Sequence, residues 1–406
     1  MKTVADSTRS VFLCVLCSLC VLRVGEAETQ EPAGPQPVSA AQLQAAISKL
    51  GDLDYTTRTT ASRTVRRTAS AQAVPALLQA VAEQADGFVR YRSLVLLTGF
   101  NDPRTNDSMR ESLVSPNDRL RAVAYSYFEH NPDRTMAAQF LTALDKEQGE
   151  FVRPALVRAT AALSALGQGD DITRVRQALL REVTRGEDFF RSAVIEALGD
   201  YKAAFAFDAL VAVAKLEGPL QDDAALALGK IGDKRALETL AAIQRTAPRQ
   251  TQPSIATAIC LLDVNCGSHE GYLVEVLKFS DKNQGFQALL RAAAGGLGTL
   301  AVAGHAEAVQ ALVETGAPSR DDATRAPVAL ALATVALRNT PLIMTFLEKP
   351  SHRDDAIALL AEGFDMLEED LDKERFFAFA RRTYWESTEN APRRALMQTL
   401  IGKLDF

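Results

Sequence analysis

Cys260 and Cys266 are the two cysteines beyond the first twenty residues, and their chemistry depends on the path of the chain between them. In one continuous helix, sulfurs six residues apart could not be bridged. Asn265 and Gly267 mark a helix end, however, and a turn there could fold Cys266 back onto Cys260 as a disulfide. The other reading is two independent thiols. No metal site is expected, because four ligands at paired spacing are absent and the nearest histidine, His269, has no companion motif. The other histidines, His130, His305 and His352, are scattered along the chain. No local signature of a Ser or Cys nucleophile, no HExxH and no phosphate loop occurs. Catalysis and a cofactor therefore have no positive support.

Tyr91, Tyr125, Arg158 and Arg191 recur at spacings of 34, 33 and 33 residues, which places them at one phase of a repeat. A row of this composition could grip a peptide or an extended protein segment; its other reading is packing plus solvated arginines. The acidic pairs Glu187-Asp188, Asp222-Asp223, Asp321-Asp322 and Asp354-Asp355 suit the positive ends of helices, and none has the dense ligand spacing that calcium requires. Arg58, Arg63, Arg66 and Arg67 lack interleaved aromatics for base stacking and read as a solvated face. Gly295-Gly296 with Gly298 follows no strand and reads as close helix packing. Phe376, Phe377, Phe379, Tyr384 and the sole tryptophan, Trp385, concentrate aromatic mass where a terminal repeat must cover the core.

These residues are positioned by a repeat. From Ser39 onward, short amphipathic stretches alternate with turns marked by Gly, Asn, Asp or Pro. Gly169-Asp170, Leu198-Gly199-Asp200 and Ile231-Gly232-Asp233 are the same punctuation, with the aspartates 30 and 33 residues apart. Glycine stops one helix in the left-handed conformation and aspartate caps the next. Over residues 39–406 this predicts an all-α fold, a right-handed α-solenoid of about eleven stacked antiparallel helix pairs. Alanines and glycines, as in Asp223-Ala224-Ala225-Leu226-Ala227-Leu228-Gly229, allow close approach of helix axes and a concave inner surface.

Ala197-Leu198-Gly199-Asp200 and Ala227-Leu228-Gly229-Lys230-Ile231-Gly232-Asp233, followed by Arg235-Ala236-Leu237, resemble HEAT repeats of the bilin-lyase-like subtype. The resemblance implies an inter-repeat ladder of a turn acid and an arginine six positions later. Asp52 and Arg58, Asp86 and Arg92, and Glu147 and Arg153 have that spacing, whereas Ser115 precedes Arg121 and most pairs after residue 200 lack the arginine. It also implies protein partners, with a lyase-like enzyme as the alternative; Cys260 or Cys266 beside His269 would then be the reactive group. A structural spacer of the cell envelope needs only the solenoid itself.

The composition agrees with a scaffold: of 406 residues, 47% are hydrophobic and only 6% aromatic, so the core is aliphatic. The net charge of −6 disfavours nucleic acid as a partner. It is unevenly spread, at +3 over residues 56–158 (14 basic, 11 acidic) and −7 over residues 159–406 (27 basic, 34 acidic). Val11 to Leu22 is an apolar run of signal-peptide length, too short for the ~20 residues of a membrane span, and Gly25-Glu26-Ala27 offers a cleavage site. The reading is therefore a signal peptide over residues 1–27 carrying Cys14, Cys17 and Cys20, a proline-rich linker over 28–38, and a periplasmic or secreted solenoid without membrane contact after cleavage. The alternative is a solenoid anchored by the uncleaved segment.

Overall fold

A computed structural model describes residues 38–404 and 406. The expected signal peptide and nearly all of the linker lie outside these residues. Among the described residues there are twenty-two α-helices and no strand, and the helices form eleven consecutive antiparallel pairs. The first five pairs are α1 (Ala40–Lys49) with α2 (Tyr55–Arg66), α3 (Ser70–Glu83) with α4 (Gly87–Thr98), α5 (Arg104–Ser112) with α6 (Asp118–His130), α7 (Ala137–Lys146) with α8 (Val152–Ser164), and α9 (Asp170–Glu182) with α10 (Asp188–Asp200). Three more are α11 (Phe207–Ala214) with α12 (Gln221–Ile231), α13 (Ala236–Gln244) with α14 (Gln252–Leu261), and α15 (Cys266–Lys282) with α16 (Gln287–Val302). The last are α17 (Ala306–Gly316) with α18 (Asp322–Arg338), α19 (Thr340–Glu348) with α20 (Arg353–Met366), and α21 (Asp370–Glu386) with α22 (Pro392–Lys403).

Local chemistry sets these boundaries. Ser39 closes a capping box with Gln42, and Asp54, Asp86, Asn117 and Asp321 each accept a first-turn N–H with the side chain. Gly232 stops α12 at φ 82°. Each pair buries one apolar stripe against its neighbours, and the second helices stack on one another in an inner layer. Small residues let that layer close up: a Cβ on Gly229 would come within 2.5 Å of Ala258 Cα, and one on Gly199 within 2.7 Å of Ala227 Cα. Gly298, within α16, approaches Ala331 less closely, with an added Cβ lying 3.2 Å from Ala331 Cβ. No single described helix is long and apolar enough to cross a membrane.

The arginine ladder differs from the expected one. Arg58 donates to the main-chain oxygens of Asp52 and Leu53, both at 2.8 Å, while the Asp52 carboxylate accepts from Asp54 N. Arg121 reaches Ser115 O at 2.8 Å, Arg153 reaches Glu147 O at 3.1 Å and Arg325 reaches Ser319 O at 3.2 Å. Six positions back lie main-chain carbonyls just past the end of the preceding helix, and because the acceptor is main chain any residue type serves there. Gln221 and Gln252 perform the same task, donating to Ala214 O and Gln244 O. The ionic rungs run between pairs: Arg121 to Glu147 at 2.9 Å, Arg153 to Glu182 at 2.7 Å, and Arg325 to Glu362 at 3.1 Å. Asp86 caps α4, and Arg92 points elsewhere, to Asp370 at 3.2 Å.

That last contact shows that the stack curls onto itself. Helix α21 lies against α4, α6 and α18, so the final pair reaches the inner layer of the second, third and ninth pairs. Leu371, buried, joins the same apolar core as Tyr91, Val95 and Val123. Phe376 and Phe377 are buried against Phe364, Phe377 stacks on Phe406, and the Arg66 guanidinium covers Phe377. The terminal aromatic cluster thus covers core, and it does so facing inward.

Candidate functional site

The second helices α4, α6, α8 and α10 carry Tyr91, Tyr125, Arg158 and Arg191 to one phase of the stack. They do not form an open stripe. Tyr125 is buried edge-on against Phe140, and burial pushes its hydroxyl up to about 12. Tyr91 is buried and donates to Asp370 of the final pair; burial and the Asp370 charge hold its hydroxyl well above the ordinary value. Arg158 pairs with Glu129 at 2.8 Å and Asp200 at 2.9 Å, and Arg191 with Asp188 at 2.9 Å. An alternation of one residue per pair cannot separate a packed position from an open one, because the curl decides which is which.

The residues that close the curl form a charge network. Its acidic side is the start of α21, Glu369 to Glu374, and its basic side is the inner layer. Arg338 at the end of α18 stands 2.7 Å from Glu369, 3.5 Å from Asp372 and 4.0 Å from Glu129. His130 Nε2 is 2.7 Å from Asp372 Oδ1. Glu129 also accepts from Tyr201 at 3.0 Å, and Asp200 is shared by Arg158 and Lys230. Arg66 donates to Glu374 at 2.7 Å, and Arg67 to Phe406 O at 3.0 Å. Two of the four arginines expected to be solvated, Arg66 and Arg67, therefore hold the last pair and its tail. Burial pushes Asp370 up, but Arg92, Lys373 and the Tyr91 hydroxyl more than offset this and hold it below its ordinary value. Asp372 is likewise pushed up by burial and pulled well below by His130, Arg338 and Arg375. Glu369 goes the other way, raised by burial against the opposing Arg338 charge.

Beside this network a cleft of about 970 Å³ remains between the first five pairs and the segment joining α20 to α21. Its mouth is aromatic and basic. Tyr55 and Phe151 are 61% and 68% exposed, Arg58 lies over the Tyr55 ring, and Arg92 and Arg119 both lie over Phe88 and Tyr91. Across the cleft, Tyr55 donates to Asp365 at 3.2 Å. The sequence reading did not single out the acidic segment, although the opposite net charges of the two chain portions carried the signal.

The cysteines lie apart from the cleft. Cys260, 2% exposed near the end of α14, is disulfide-bonded to Cys266 at the start of α15, with Cα atoms 4.1 Å apart. The intervening turn bends at Asp263 and Asn265, φ 57° and 47°. Neither sulfur is a free thiol, and the histidine nearest to them is His305, with its Nδ1 3.9 Å from Cys266 Sγ.

No family model matches the chain, and no curated protein matches it. Some solved structures align with it at low identity. The complex of CpcE and CpcF of phycocyanin lyase from Nostoc sp. PCC7120 aligns at 20% identity and a TM-score of 0.35, over 56% of this chain and 90% of that one. Importin beta aligns at 15% identity and 0.40, over 89% of this chain and 55% of that one. Kap121p aligns at 13% identity and 0.41, over 90% and 45%. The α-solenoid itself stands on the chain's own eleven stacked helix pairs.

Proposed function

We propose that this HEAT-like solenoid is a non-enzymatic scaffold whose inner surface receives a segment of a protein or peptide partner, and that it works outside the cytoplasm after loss of residues 1–27. The observation that carries the binding reading is the seat already in use. The arginine and tyrosine wall of the first pairs holds an acidic stretch of this same chain, through Arg66, Arg92 and Tyr91. The open continuation of that wall, around Tyr55, Arg58, Phe88, Arg119 and Phe151, suits another acidic segment bearing an aromatic or aliphatic side chain. Charge would steer the approach and ring contact would hold it.

The test is fluorescence anisotropy with labelled ten-residue peptides rich in Asp, Glu and Phe, against versions in which Lys replaces each acid. Binding of the acidic set, weakened at least tenfold by R58E with R119E and by 0.5 M salt, supports the reading. Equal binding of both sets, or no effect of the double reversal, overturns it. Export is tested by the N-terminus of the native protein, which should be Glu28; an intact Met1 in the cytosol refutes it.

A further inference from the structure

The turn between α14 and α15 lies beside the turn between α16 and α17, where Cys260, Cys266 and His305 meet and Glu270 stands against His305. The sequence does not announce the group, because His305 is 39 residues from Cys266 and enters from the following turn. Its position is fixed by the backbone. Gly304, at φ 112°, ends α16 and donates to Ala301 O at 2.9 Å, while His305 N donates to Leu300 O at 3.1 Å, the paired bonds of a Schellman turn. This aims His305 Nδ1 at Cys266 Sγ and leaves it 3.4 Å from Glu270 Oε2. The donor atoms of Cys260, Cys266 and His305 all lie within 4.8 Å of one another.

Glu270 adds an independent sign. Its Oε1 is buried and has no hydrogen-bond partner, and a buried carboxylate oxygen is costly to leave unsatisfied. Two sulfurs, an imidazole nitrogen and a carboxylate oxygen are a donor set that zinc accepts. Zinc–ligand distances of about 2.0–2.3 Å in a tetrahedron put donor atoms roughly 3.3–3.8 Å apart. The Nδ1 to Sγ and Nδ1 to Oε2 separations, 3.9 and 3.4 Å, already lie near that range.

We infer that the Cys260–Cys266 disulfide is the metal-free, oxidised state of a zinc site, and that the reduced chain binds one Zn²⁺ through both sulfurs, His305 Nδ1 and a Glu270 carboxylate oxygen. Two electrons and two protons convert the sulfur–sulfur bond into two thiols. A phosphine reductant supplies the electrons and becomes the phosphine oxide, with water providing its oxygen and the two protons. Zn²⁺ then binds the sulfurs as thiolates and releases two protons. The site is separate from the cleft, so it stands or falls independently of peptide binding.

The experiment uses the chain from Glu28 onward, which lacks Cys14, Cys17 and Cys20, in two forms, as oxidised protein and after phosphine reduction and removal of the reductant under argon. Zn²⁺ is titrated in competition with a chromophoric chelator, and Co²⁺ serves as the spectroscopic probe. The reduced chain should take one zinc and the oxidised chain none, and zinc should protect both thiols from alkylation. The cobalt form should show thiolate charge-transfer and intense tetrahedral d–d bands. H305A and E270Q should each weaken zinc at least about tenfold, and C260S with C266S should abolish binding. If the double serine variant does not fold by circular dichroism, H305A and E270Q, which keep both cysteines, carry the test. Failure of the reduced chain to compete for zinc, equal uptake by the oxidised chain, or a wild-type affinity and cobalt spectrum in H305A would each overturn the inference.

Discussion

Glu374, more deeply buried than Glu129 or Asp372, is the place to open the closure. Its side chain is 1% exposed, with Arg66 Nε at 2.7 Å and Arg381 Nη1 at 3.4 Å. Gln at this position keeps the shape and removes the charge, so Arg66, itself 13% exposed, faces a neutral amide. Removing one partner of a buried pair costs about 3–5 kcal/mol. The lower figure applies, because opening the curl returns the guanidinium to water. About 3 kcal/mol is roughly a hundredfold in the balance between closed and open forms. Hydrogen exchange with mass spectrometry reads this directly. In E374Q, amides of α4 and α21 should exchange about a hundredfold faster, while those of α13 and α14, remote from the closure, should not change. R66A should have a similar effect, and the double variant should be no worse than either single one. Unchanged protection in α4 and α21 would refute the closure, and equal loss in α13 and α14 would show that it is not separable from the stack.

Acid should open the curl by the same route. The folded-state values of Asp370 and Asp372 lie below those of the unfolded chain, so their contribution is complete above about pH 4 and is lost as pH falls further. Glu369, raised in the folded state, opposes this by gaining its proton first; small-angle scattering from pH 7 to 3 should show expansion only below about pH 4. R153A removes the 2.7 Å partner of Glu182, 1% exposed, which keeps Arg181 at 3.2 Å and Arg185 at 3.3 Å, and should cost about 1–3 kcal/mol by urea denaturation. G229A drives a methyl against Ala258 and should cost about 1–3 kcal/mol, seen as a lower urea midpoint.

The helix pairs were legible where the punctuation is local: Gly232 and Asp321 are single-residue signals at a helix stop and a helix start, whereas Asp86, expected in the ladder, is a cap, and Gly199-Asp200, expected to end one helix and cap the next, lies inside the end of α10. The small residues of the inner layer were legible for the same reason, as Gly229 shows. The arginine ladder was half legible. Its spacing of six is real, but the acceptor is a main-chain carbonyl, which no residue type reveals, so Ser115 looked like a departure and is none. The candidate surface was misjudged because curvature accumulates over many pairs. Nothing near Tyr91 announces that Asp370, 279 residues later, will meet it. His305 was passed over for the same reason, since its neighbour in space belongs to the preceding repeat.

An open stack of helix pairs holds only neighbours together, so its ends fray and its middle melts in pieces. Joining Tyr55 to Asp365 and Arg66 to Glu374, across 310 and 308 residues, gives this chain contacts of very large sequence separation. Contact order then rises well above that of a simple helical array, and the last step of folding becomes the search of one end for the other, slow beside the zipping of adjacent pairs. Once that step is made, neither end can peel away alone, and melting should change from a graded to a concerted transition.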